Sequence, residues 1–186
     1  KAAECLHLFF SMDEYITMLP LAAPLQEWIM EHREKINAAA LYEGCLSLLK
    51  ESGEAESVKF ALCCLGLLQT GGGEGVRNLV RVLALSDEFT LYCLFVMEQW
   101  EDAAAAIFDA ARHVRGWGRI HAVEHLRCDD EKTRRWLLLE GWHNTVMEEY
   151  SARTCAEKCD LAARLRTGDL DAAEFDAAGE LMPVLL

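Results

Sequence analysis

Lys59-Phe60-Ala61-Leu62-Cys63-Cys64-Leu65 is apolar on every side once its lysine is passed, which reads as a helix enclosed by neighbours. It returns in altered form as Phe89-Thr90-Leu91-Tyr92-Cys93-Leu94-Phe95, as Gly118-Arg119-Ile120-His121-Ala122-Val123-Glu124, and as Glu149-Tyr150-Ser151-Ala152-Arg153-Thr154-Cys155. The four segments start about thirty residues apart. Each carries a small residue (Cys64, Cys93, Ala122, Ala152) where another helix would cross closely, and each is followed after a short turn by a second helical stretch. Helix pairs recurring at such a period bury their apolar faces only against the pairs before and after them. The expected fold is all-α, a short α-solenoid of stacked antiparallel helix pairs, with an irregular helical bundle as the alternative.

Outward from these segments, Gly53, Gly71 to Gly75, Ser86-Asp87, Gly116 to Gly118, Asp129-Asp130, Gly141 and Gly168 punctuate the chain. Helices are expected near 57–69, 75–85, 88–99, 101–114, 118–127, 130–140, 145–158, 160–167 and 171–182. Residues 1–52 are less regular: Lys1–Phe10 reads as helix, Pro20 and Pro24 bracket a turn, and Leu25–Glu51 reads as one or two helices. Residues 53–186 are expected to form the repeats as a single continuous domain. The chain opens on Lys1 rather than Met and shows no signal peptide, so residues preceding it are expected.

The stacked pairs from Gly53 onward resemble the HEAT-like class of α-helical repeats, in a divergent form. Trp117-Gly118-Arg119-Ile120-His121-Ala122-Val123-Glu124 is also similar to segments of uncharacterised bacterial helical-repeat proteins. The resemblance implies a scaffold or binding surface more often than catalysis. HEAT-like folds also include alkylpurine DNA glycosylases and bilin lyases, and a fold alone fixes no function.

The 186 residues hold 18 Lys+Arg against 31 Asp+Glu, a net charge of −13, and 52% of them are apolar. The acidic excess runs through all thirds of the chain, which disfavours nucleic-acid partners, a glycosylase's concave face and anionic membrane surfaces. No apolar run is long enough to cross a bilayer. The eight cysteines form no Cys-x-x-Cys pair and lie mostly in apolar helical stretches, as expected for reduced thiols in the cytoplasm. Cys155 and Cys159 share a helix face, which ordinary packing explains.

Arg112 to Arg135 reverses the charge locally, with seven bases against four acids, and Trp117 sits inside it while Trp136, Trp142 and His143 follow closely. Aromatic and arginine side chains together are the types that anchor interfaces. In a repeat array, residues about thirty apart become neighbours, so 112–121 is expected beside 142–150. The candidate binding residues are Arg115, Trp117, Arg119, His121, His125, Trp142 and His143, with another protein or peptide of acidic character as partner. The competing reading makes Trp117 and Trp136 core residues covered by arginine stems.

His121-Ala122-Val123-Glu124-His125 matches H-x-x-E-H, in which two His one helical turn apart bind zinc and the Glu acts as base. The peptidases with that motif need a third ligand, and Glu148, Glu149 and Glu157 are unspecific candidates. No strands are visible to frame a substrate, so a solvated polar face is expected, with no metal and no cofactor. Thr70 to Gly75 lacks the Gly-Lys-Ser/Thr of a phosphate loop, and no nucleophile elbow occurs. The expected function is a non-catalytic protein- or peptide-binding scaffold. The alternative is an enzyme or small-anion binder using His121, Glu124 and His125 with Arg115 and Arg119.

Overall fold

A computed structural model describes residues 8–9, 16–68 and 73–186. The architecture is all-helical, with no strand among the described residues. In chain order the helices are α1 (Ala22–Glu31), α2 (Ala38–Glu51), α3 (Ala55–Leu67), α4 (Glu74–Leu83), α5 (Asp87–Met97), α6 (Ala103–His113), α7 (Trp117–His125), α8 (Glu131–Trp136), α9 (Glu149–Lys158), α10 (Leu161–Thr167) and α11 (Ala172–Val184). They form two compact units. The first takes the described residues up to Val82 with Phe95–Glu101, and the second takes Leu83–Leu94 with Asp102–Leu186.

In the first unit, Pro24 occupies the first turn of α1, where its missing N–H costs no helical bond. A 3₁₀ turn at Arg33–Lys35 separates α1 from α2, and Asn37 caps α2 by accepting from the Ala40 N–H at 3.1 Å. Leu25–Glu51 is thus two helices. Both pack on α3, whose Ala61, Leu62, Cys63 and Cys64 are completely buried. The sequence becomes regular at 52/53, but helices on either side of that point pack together. Gly66 is there for a close approach, since a Cβ would lie 3.2 Å from the Phe95 carbonyl oxygen. Of the expected Lys1–Phe10 helix only Leu8 and Phe9 are among the described residues, and residues 71 and 72 of the Gly71–Gly75 turn lie outside them.

In the second unit, α6 and α7 pack as a hairpin. Asp130 caps α8, accepting from the Thr133 N–H and hydroxyl, both at 2.8 Å. The helix expected over 130–140 is α8 followed by a π turn at Leu137–Gly141. That turn is the unit's hub: α7, α8, α9 and α11 all pack on it, and Leu137 and Leu138 have no exposed surface. The helix expected from 145 begins only at Glu149. Asn144 diverts the chain first, its Oδ1 accepting the Val146 and Met147 N–H groups at 2.9 and 2.7 Å. Asp171 and Glu174 form a reciprocal capping box on α11. Cys64, Cys93, Ala122 and Ala152, the small residues of the four segments, are all buried. No described helix is long and apolar enough to cross a membrane.

Candidate functional site

Gly116-Trp117-Gly118 sets the site's geometry. The Gly118 N–H at the start of α7 donates to the Asp87 carboxylate at 3.0 Å, placing an anion at that helix N-terminus. A side chain on either glycine would force Asp87 or Thr90 to move. A Cβ on Gly116 would lie 1.9 Å from Asp87 Oδ2, and one on Gly118 would lie 2.4 Å from Thr90 Oγ1. Thr90 is itself fixed, donating to the Ala84 and Ser86 carbonyls at 2.9 and 2.8 Å. Between the glycines, Trp117 is left 49% exposed on a firmly seated backbone.

Trp117 does not stand alone. Its ring lies 5.4 Å from that of Tyr150 at an interplanar angle of 34°, and stacks against His121 at 6.3 Å. The Thr145 N–H donates to the Arg115 carbonyl at 2.8 Å, joining the Asn144 turn to the segment before α7. That turn exposes Val146 and Met147, and Tyr150 is 51% exposed. Residues 112–121 and 142–150 are therefore adjacent, as the repeat spacing led one to expect. Arg115 is exposed; His121, His125 and His143 are half-buried. Glu148 holds His143 at 2.7 Å, and Glu124 lies 3.6 Å from His121.

Two of the candidate residues are interior, which corrects their expected place on the strip. Arg119 is 1% exposed. Its guanidinium donates to the carbonyls of Val114 (2.9 Å), Glu140 (3.1 Å), His143 (3.0 Å) and Arg112 (3.3 Å). Those carbonyls end α6 and the π turn, where helices leave acceptors unsatisfied, so the arginine caps two helix ends at once. Burial, then the nearby Arg115 charge, lowers its pKa to about 10. Trp142 is 2% exposed and donates its ring N–H to the Leu138 carbonyl at 2.9 Å. Trp136 is half-buried, with Phe108 edge-on at 5.3 Å and the Arg119 guanidinium 5.4 Å above its ring.

Ser151, which follows Tyr150, is 1% exposed and donates to the Trp142 carbonyl while accepting from Asn144. Among the described residues no group of three or more His, Cys, Asp or Glu side chains is arranged to hold a metal ion. The seven described cysteines are free, and six of them are buried. Burial pushes the Cys63 thiol up to about 12 and Cys159 to about 11, which keeps them protonated and unreactive at neutral pH.

Tyr150, Val146 and Met147 were not picked out from the sequence. Tyr150 was findable, because it sits one period beyond Trp117 in the fourth repeated segment. Val146 and Met147 depended on recognising Asn144 as a turn former. Comparison with protein families, with curated proteins and with solved structures finds no match.

Proposed function

We propose that the protein is a non-catalytic scaffold that binds an acidic segment of another protein through Arg115, Trp117, His121 and Tyr150. The observation that carries this is Trp117 itself, a half-exposed indole flanked by two closely packed glycines and anchored through the Asp87 carboxylate. An aromatic pair already fixed in place loses little freedom on binding, and such residues dominate interface energies. The exposed Arg115, two residues before it, favours a carboxylate-bearing partner, while Glu148 is occupied by His143.

The second unit also fits stacked, divergent HEAT-like pairs. Three ties within it join positions about one period apart: Asp87 with Gly118, Trp117 with Tyr150, and Lys158 with the carbonyls ending α7. Free thiols throughout the described chain suit a reducing compartment such as the cytoplasm. The alternative of a small-anion site loses its central cation, because Arg119 is committed to four carbonyls.

Panning a random peptide library displayed on phage against the intact protein tests the proposal. Acidic peptides should be selected, and Trp117→Ala with Tyr150→Ala should weaken them at least about tenfold without changing helix content. Arg115→Glu should weaken them further. Selected peptides that bind this double variant at full strength would refute the site, and selected peptides without acidic residues would refute the partner.

A further inference from the structure

A separate groove lies on the second unit between α9, α10 and the end of α11. Its open volume is about 670 Å³, within the range of sites that hold small organic ligands, and gaps between helices are among their usual places. The floor is aliphatic, built from Leu161, Leu165, Met182 and Leu185. Leu161 is buried as the groove's base, but Leu165, Met182 and Leu185 remain 39%, 45% and 36% exposed. That is a concentration of uncovered apolar surface in one concave place.

Of the four charges on the rim, one of each sign is paired and one of each sign is not. Arg153 is bound to Glu157 at 2.9 Å, so that pair is neutral as a whole. Arg166, in the last turn of α10, lines the groove and makes no ion pair with any described residue. Asp160 precedes the first turn of the same helix and also lines the groove. An anionic headgroup is therefore attracted at the Arg166 end and repelled at the Asp160 end, about 9 Å away along a seven-residue helix. The apolar floor runs between them.

We propose that this groove binds an anionic amphiphile of the medium-chain carboxylate class, with its headgroup on Arg166 and its chain over Leu165, Met182 and Leu185. The site shares no residue with the aromatic strip, so either can fail without the other. The headgroup gains a charge-assisted hydrogen bond to a guanidinium, and the chain covers aliphatic surface that water now meets.

Calorimetric titration of the full chain with decanoate, below its micelle concentration, is the direct test. Saturable binding near one equivalent is expected, with decanol and decyltrimethylammonium both binding more weakly. Arg166→Gln should weaken decanoate at least about tenfold and leave decanol unchanged. Met182→Asp should abolish both while the circular dichroism spectrum stays native, as both side chains are exposed. The proposal is overturned by absence of saturable decanoate binding, by equal binding to Arg166→Gln, or by binding that survives Met182→Asp. It is also overturned if only an amphipathic helical peptide binds the groove, which would make it a protein-docking surface.

Discussion

The second unit stabilises two arginines in opposite ways. Arg119 lies at the junction of α6, α7 and the π turn and donates its hydrogen bonds to carbonyl oxygens. Arg164 lies where α8, α10 and α11 meet, its side chain 12% exposed, and it meets Glu174 at 2.8 Å and Glu131 at 3.2 Å. Burial acts to lower both guanidinium pKa values. At Arg119 it wins, whereas at Arg164 the Glu174 hydrogen bond and the two carboxylate charges outweigh it, and the pKa is raised. Helix ends supply the first cation with dipoles, which do not titrate. The second depends on carboxylates, which do. Lys158 repeats the first solution, donating to the Val123, Glu124 and Leu126 carbonyls at 2.9, 2.7 and 2.7 Å.

The largest effect should come from removing the cation held by carbonyls. Arg119→Met takes the guanidinium away from four carbonyls, of which only Glu140 keeps a second donor in the His143 N–H, and a loss of about 3 kcal/mol is expected in denaturant unfolding. Arg119→Lys restores the charge without the planar fork and should recover only part of it. Full recovery by lysine would show that charge alone holds the junction.

Glu174→Gln at the other junction should cost less, about 2 kcal/mol, because Glu131 still faces Arg164 and the amide remains an acceptor. Glu174 also reaches Arg135 at 3.3 Å, so a loss matching that of Arg119→Met would mean the carboxylate holds both arginines in place.

Acid separates the two junctions most cleanly. The Glu174 carboxyl is raised by burial but held below its ordinary 4.5 by the Asp171 N–H and Arg164. Hydrogen bonds from the Glu174 N–H and from Arg135 hold Asp171 below 3.8. Carboxyls depressed in the fold add stability that is present above their ordinary values and is lost as pH falls through the depressed ones. Unfolding midpoints should therefore be flat above about pH 5 and fall below pH 4. Asp171→Asn with Glu174→Gln should flatten that fall, whereas Arg119→Met should keep the wild-type slope. An equal change of slope in both variants would erase the distinction.

Trp117→Ala should have the smallest effect on stability, below about 1 kcal/mol, since half of the indole already faces water. A loss of several kcal/mol would instead make Trp117 a packing residue and remove the basis for the interaction strip.

Much of the fold was legible. Alternation of apolar runs with Gly, Asp-Asp and Pro signals located the helices, because those signals act within one turn of chain. Asn144 was missed because its effect runs through side-chain hydrogen bonds to the turn, which a hydrophobic period does not register. The site was half legible. Spacing brought 112–121 beside 142–150, but gave no reason to send Arg119 inward and Trp117 outward.

The sequence by itself determined the all-helical class and the positions of the small residues in the four segments, since local propensity and apolar spacing are written residue by residue. Only the tertiary structure decided which bases serve as helix caps and which face water. That choice depends on where the ends of α6, α7 and the π turn leave unsatisfied carbonyls, and those ends are brought within reach of Arg119 and Lys158 only by packing.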